Sequence, residues 1–178
     1  MRDGPGGSCH MTHPNDTALR DQLKRRLGRA GRIGVVGIGD ELKPEDRPGM
    51  AAARHLQGLH LPHIAVFLSG TVPESFTGPL RKFHPDHILL FDAADMDAAP
   101  GTFGIVRPGQ IVAGLFSTHV IPLWVLMNYL EKDTGARVTL IGIQPDSSGA
   151  PTKEYTETFY RNMKILQNIL QNAVLKRL

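Results

Sequence analysis

Cysteine is almost missing from this chain: Cys9 stands alone among 178 residues. One thiol excludes an intramolecular disulfide and any multi-cysteine zinc site, and it makes a reducing, cytoplasmic setting the expectation. Aromatic residues are scarce at 6%, so the basic cluster Lys24, Arg25, Arg26, Arg29 and Arg32 has little on which nucleic-acid bases could stack. A solvated helix face explains that cluster better than nucleic-acid binding, in spite of a formal charge of +3. Long apolar runs are absent as well. The longest, Val120–Met127, is far below the roughly 18 residues of a membrane helix, so no membrane partner is expected. No basic-then-apolar leader with a cleavage site opens the sequence, and no secretory signal is expected.

What remains is an ordinary globular balance, 41% hydrophobic against 21% charged, at a length that suits one domain. Residues 1–15, rich in Gly, Pro, Ser and His, read as a flexible tail, and residues 16–178 as a single α/β domain. Within the tail Cys9, His10 and His13 lack a nearby fourth ligand and do not make a metal site. Leu19, Leu23 and Leu27 recur every four residues and predict a helix over Thr17–Leu27 with Asp16 as its N-cap. Strand-like runs follow at Ile33–Val36, His63–Leu68, His87–Phe91, Phe103–Val106 and Arg137–Ile143. Helical patterns separate them at Gly49–Leu59, Glu74–Phe83 and Val120–Lys132, and a final amphipathic helix runs from Thr152 to about Leu175. Continuous apolar strands alternating with helices predict a mainly parallel sheet covered on both faces, with function at the carboxyl ends of its strands.

Three strand-end connections carry chemistry. The first holds Gly37-Ile38-Gly39 and then Asp40, Glu41, Glu45 and Asp46; the third glycine of a dinucleotide fingerprint is replaced by Leu42. A solvated acidic turn and a cation-binding loop both fit this pattern. The third strand ends on Asp92, a carboxylate closing an apolar run, which requires a partner; Asp95 and Asp97 read as solvated. Thr118 is a candidate N-cap with Pro122 in the first helical turn, which puts His119 at a helix start facing the crevice. The other histidines, His55, His60, His63, His84 and His87, read as bland flanking residues. Two carboxylates and an imidazole can form an oxygen-and-nitrogen site for a divalent cation with open positions. A serine nucleophile is less persuasive, because no G-x-S-x-G surrounds Ser69 or Ser117.

Taken in order, these segments resemble the motifs of the [NiFe]-hydrogenase maturation endopeptidases, closest to the branch that processes the hydrogenase 3 large subunit. The carriers are Gly37-x-Gly39 with Glu45-Asp46, Gly70-Thr71-Val72-Pro73-Glu74, Asp92-Ala93-Ala94-Asp95-Met96 with Pro100-Gly101, Ser117-Thr118-His119, and Gly142-Ile143-Gln144-Pro145. The resemblance implies a three-layer α/β fold, a mainly parallel five-stranded sheet with helices on both faces. It implies an endopeptidase that removes a C-terminal extension from a nickel-loaded large-subunit precursor, with nickel supplied by that precursor and no organic cofactor. It also implies Asp46, Asp92 and His119 as metal ligands and catalytic groups, with Gly37, Gly39, Gly70 and Thr71 shaping the crevice.

The chain departs from the family pattern in several places. Asp40 stands where Asn is usual, and Arg47 and Pro48 follow the acidic pair where Gly is common. Leu68 and Ser69 stand where an aspartate commonly closes the second strand. Arg47 could pair with Asp46 and weaken its grip on a cation. The departures at Leu68 and Arg47 bring in impaired cleavage, and with it an alternative: a non-catalytic, nickel-sensing assembly factor that binds the precursor uncut. A nucleotide-binding α/β protein using the Gly37 loop is a third expectation, and the missing third glycine counts against it.

Overall fold

The computed structural model describes residues 14–107, 122–146 and 148–175. Strands β1 (Ile33–Ile38), β2 (Ile64–Gly70), β3 (His87–Ala93), β4 (Phe103–Ile105) and β5 (Arg137–Ile143) form one sheet in the order β2-β1-β3-β5-β4. β1 pairs in parallel with β2 and β3, and β3 with β5. Only β4, at one edge, runs antiparallel to its neighbour. Helices α1 (Pro14–Leu27), α2 (Pro48–Gly58), α3 (Thr77–Phe83), α4 (Leu123–Thr134) and α5 (Lys153–Leu175) complete the described elements, with a 3-10 turn at Pro73–Phe76 leading into α3.

The strand pleat explains why the strand sequences are apolar without interruption. Ile33, Val35, Leu89, Phe91, Ile141 and Ile143 face one layer, made by α1, α2 and α5. Val36, Ile38, Ile88, Leu90, Val138 and Leu140 face the other, made by α3 and α4. Because both sides are covered, every residue of β1 and β3 is buried. The expected three-layer architecture is therefore the observed one. On the first side the rings of Phe103 and Phe159 meet edge to face at 5.5 Å, and Phe103 also meets Phe91 at 6.4 Å.

Several expected boundaries shift, each for a local reason. Helix α1 starts at Pro14, inside the expected tail, so Asp16 lies in its first turn instead of capping it. There its carboxylate pairs with Arg161 of α5, 2.9 Å from Nε. The helix expected over Glu74–Phe83 divides into the 3-10 turn and α3. The helix expected from Val120 begins only at Leu123: Pro122 is its N-cap in an extended conformation, with ψ 133°. Thr118, the expected cap, lies outside the described residues. Residues 1–13, with Cys9, His10 and His13, lie outside the described residues.

Candidate functional site

The strand order reverses direction at β1: the chain steps from β1 outward to β2, then returns to β3 on the other side. Such a switch leaves a crevice at the carboxyl ends of the two central strands. Helix α2 starts directly over it. Pro48 supplies a first-turn residue with no N–H to satisfy. Gly49 then lies against the backbone carbonyls of Ile38 and Phe91, where a Cβ would overlap both. Glycine is required by that close approach. The segment entering α2 and the residue following Phe91 consequently meet at the same β1–β3 mouth.

Of the four acids between β1 and α2, only Asp46 turns inward. Glu41 forms a two-pronged ion pair with Arg54, at 2.7 and 3.0 Å. Asp40 receives the Leu42 N–H at 3.0 Å, closing a local turn, and Glu45 is exposed. Asp46 accepts the Asp40 N–H through Oδ2 at 2.9 Å, while its Oδ1 is buried without a hydrogen-bond partner. A buried carboxylate oxygen lacking a donor is costly, and a cation in the crevice would remove that cost. No ion pair joins Arg47 to Asp46 among the described residues, so the expected weakening by Arg47 does not arise from a direct contact. Arg47 instead acts on Tyr155, whose phenol is pushed up to about 12 by burial against the opposing pull of that guanidinium.

The crevice glycines are fixed by backbone constraints. Gly39 has φ +124°, and a Cβ there would collide with the Asp46 carbonyl. Its N–H donates to Gly70 O at 2.9 Å, tying the end of β1 to the end of β2. Gly37 packs against Ala53 and the start of α2 so closely that a Cβ would not fit. Between Gly37–Leu68 and Ile38–Gly70 the register slips by one residue, and Ser69 is the extra residue of that bulge. Its buried hydroxyl donates to Gly37 O at 2.7 Å. Thr71 follows as an exposed turn residue. Ser69, less persuasive as a nucleophile from sequence, is thus the hydroxyl that satisfies the bulge.

Asp92 lies in β3, opposite Gly142 of β5, and is fully buried. Its Oδ1 accepts the N–H of Ala93 at 2.9 Å. The loop that follows is held by Gln144, which the sequence offered only as part of a motif. Its Oε1 accepts the Met96 N–H at 2.7 Å, and its Nε2 donates to Asp95 at 3.3 Å. Asp95 and Asp97 are exposed, as expected. Asp146 then secures the entry to α5: its carboxylate receives both the N–H and the hydroxyl of Ser148 and of Thr152. Those four bonds hold its carboxyl well below the usual carboxylate range. Sequence reading did not single out Asp146, because an aspartate beside Pro145 carries no signal of the bonds it makes.

His119 lies outside the described residues. Among the described residues no three His, Cys, Asp or Glu side chains gather to hold a metal ion. Asp46 follows β1 and Asp92 is near the end of the neighbouring strand β3, while His119 belongs to the sequence between β4 and α4. A cavity of about 230 Å³ lies elsewhere, lined by Ala18, Leu19, Gln22, Met96 and Phe103, with no titratable group among its described lining residues.

With this geometry in place, likeness to known proteins becomes informative. The family model for HycI, hydrogenase maturation protease, matches residues 50–171. The chain belongs to the hydrogenase maturation protease family. A Methanocaldococcus jannaschii protein whose description also names a hydrogenase maturation protease is 32% identical over 135 residues, which is 71% of this chain and 80% of that protein. The crystal structure of the [NiFe] hydrogenase maturation protease HycI from Thermococcus kodakarensis superposes with a TM-score of 0.74 at 30% identity, over 85% of this chain and 99% of that one. The solution structure of the endopeptidase HycI from Escherichia coli gives 0.65 at 27% identity, over 80% and 93%. The family match includes Gly70, Thr71, Asp92 and His119, whereas α1, β1 and the loop bearing Asp46 precede it. Among the described residues no helix is long and apolar enough to cross a membrane.

Proposed function

We propose that this protease is a cytoplasmic endopeptidase that removes a C-terminal extension from a [NiFe]-hydrogenase large-subunit precursor once that precursor carries nickel. The ion is part of the substrate, and the reading calls for no organic cofactor and no nucleic acid. Asp46, Asp92 and His119 are the groups that hold it, with Gly37, Gly39, Gly70 and Thr71 setting the shape of the crevice. One observation supports this most: Asp46 presents a buried oxygen with no donor at the β1–β3 mouth, where Asp92 also lies. Oxygen and imidazole donors suit a divalent first-row cation.

In this reading the carboxylates anchor the nickel-bearing end of the precursor and so place the scissile amide in the crevice. Anchoring converts an encounter into a positioned reaction. A bound divalent ion supplies Lewis acidity toward a carbonyl or water oxygen. A carboxylate oxygen not engaged with the ion can take the proton of the attacking water. The test is mass spectrometry of precursor incubated with the protein, with and without nickel. Loss of a C-terminal peptide from nickel-loaded precursor alone is expected; cleavage indifferent to nickel overturns the reading.

A second reading has its own support. Ser69 fills the bulge at the end of β2 with a hydroxyl bonded to Gly37, and so no carboxylate stands there. Impaired cleavage and a nickel-sensing assembly factor follow from that difference. Stable co-purification with nickel-loaded precursor and no loss of mass would favour it over the endopeptidase.

A further inference from the structure

Five cations and no acid occupy residues 24–32: Lys24, Arg25, Arg26, Arg29 and Arg32. All five are exposed. The segment precedes the residues matched by the family model. Helix α1 leads directly into β1, which places its last turn at the amino-terminal end of the sheet, away from the crevice. Arg137, the first residue of β5, is exposed at that same end. Arg26 and Arg137 both make protonation of His87, the first residue of β3, less favourable, so the two guanidinium groups flank one locus.

Three of the acids nearby are already engaged, while Asp21 of α1 is exposed one turn before Lys24 and Arg25. Asp86 Oδ2 accepts the N–H groups of Gly31 and Arg32, both at 2.8 Å. Glu131 accepts the Val138 N–H at 3.2 Å, and Asp133 pairs with Arg81 at 2.8 Å. Among the described residues Lys24, Arg25, Arg26, Arg32 and Arg137 form no ion pair. Cations in the last turn of a helix complement its dipole, which accounts for Lys24, Arg25 and Arg26. It does not account for Arg32 and Arg137, which lie at strand starts. Concentrated like charge destabilises the compact state, and an anionic partner relieves it.

We propose that the amino-terminal end of the sheet is a docking surface for an acidic segment of a protein partner, held by Arg26, Arg32 and Arg137 with Lys24 and Arg25 beside them. A lipid surface fits poorly, since the apolar face of α1 (Leu19, Leu23 and Leu27) is buried in the core and has nothing to insert. Nucleic acid fits poorly as well, since Phe83 at this end is covered by the Arg32 guanidinium, 4.5 Å from its ring centre. Carboxylates match the forked donors of arginine. Docking here leaves the β1–β3 crevice open, and the inference does not depend on the cleavage reading.

The test uses the full chain and a fluorescent peptide of about a dozen residues rich in Glu, at about 0.15 M salt, where only a concentrated field survives screening. Binding read by anisotropy is expected to weaken at least about tenfold in the double variant R26Q/R137Q. The double variant K153Q/K164Q, which removes the same charge from α5, is expected to change it by less than about twofold. Bound peptide also neutralises the field on His87, so the imidazole NMR titration midpoint rises in the parent chain and not in R26Q/R137Q. The proposal is overturned by absence of binding, by equal weakening in the two double variants, or by a single-stranded oligonucleotide of equal charge binding as tightly.

Discussion

Asp46, half-buried, and His87, buried, each hide an unpartnered polar atom, and they differ in what resolves the cost. Asp46 lies at the crevice mouth, and in the proposed function Oδ1 is the atom that a substrate ion would engage. Asp46→Asn and Asp92→Asn keep side-chain volume and remove charge; each is expected to reduce precursor cleavage at least about a hundredfold with little change in melting temperature, checked by mass spectrometry beside calorimetry. His87 lies at the far end of β3, its Nε2 2.9 Å from Thr139 Oγ1 and its Nδ1 without a partner. Burial, then Arg137 and Arg26, lower its pKa from 6.5 to about 4. The unfolded chain therefore binds a proton more readily than the folded one. The resulting stability is complete above pH 6.5 and is lost as pH falls toward 4, a span worth roughly 3 kcal/mol. Denaturant midpoints at about pH 7 and pH 4.5 should separate in the parent chain and converge in His87→Gln. Asp146 acts in a lower window: its depressed carboxyl stabilises the fold above the ordinary carboxylate pKa and ceases to do so only in stronger acid. From sequence His87 read as bland, because a histidine opening a strand gives no sign of being sealed from both sides.

At the scale of elements, the β1–β2 bulge sets the crevice. The one-residue slip at Ser69 turns Gly70 so that its carbonyl receives the Gly39 N–H, and Gly39 in turn lies under the Asp46 carbonyl. Gly39→Ala introduces both a collision and a side chain at φ +124°. It is expected to cost about 1–3 kcal/mol and to abolish cleavage at temperatures where the variant is still folded, since Asp46 moves with the backbone. Ser69→Ala should cost only about 1 kcal/mol and leave Asp46 in place, and paired melting and cleavage assays separate the two outcomes. The strands were legible because cover on both faces imposes continuous apolar runs, and Arg137–Ile143 agrees at both ends. Helix starts were less legible. Pro122 fits a first turn as well as an N-cap, and only its ψ of 133° decides for the cap. The division of Pro73–Phe83 into a 3-10 turn and α3 leaves no mark in hydrophobic spacing, because the turn buries only Pro73 and α3 only Leu80.

For the whole molecule, topology decides which strand ends become neighbours. Asp46 and Asp92 are 46 positions apart in sequence numbering, yet the 2-1-3 strand order brings the end of β3 beside the end of β1. Sequence motifs pointed to these two acids as candidates; pairing order makes neighbours of the strand ends that carry them, which no spacing rule contains. The same global view changes the status of α1. From sequence it was an addition with a basic face, and the family match begins beyond it. In the fold its leucines close the layer formed with α2 and α5: Leu23 and Leu27 are fully buried, Leu19 nearly so, and Asp16 is paired with Arg161. Each buried leucine contributes about 2 kcal/mol. A chain beginning at residue 28 is therefore expected to lose roughly 5 kcal/mol, with a smaller denaturant slope because less surface is buried on folding. Urea titration followed by circular dichroism measures both quantities. An unchanged midpoint and slope would mean that α2 and α5 close over Phe103 and Phe159 by themselves, and α1 would then serve only to carry its cations.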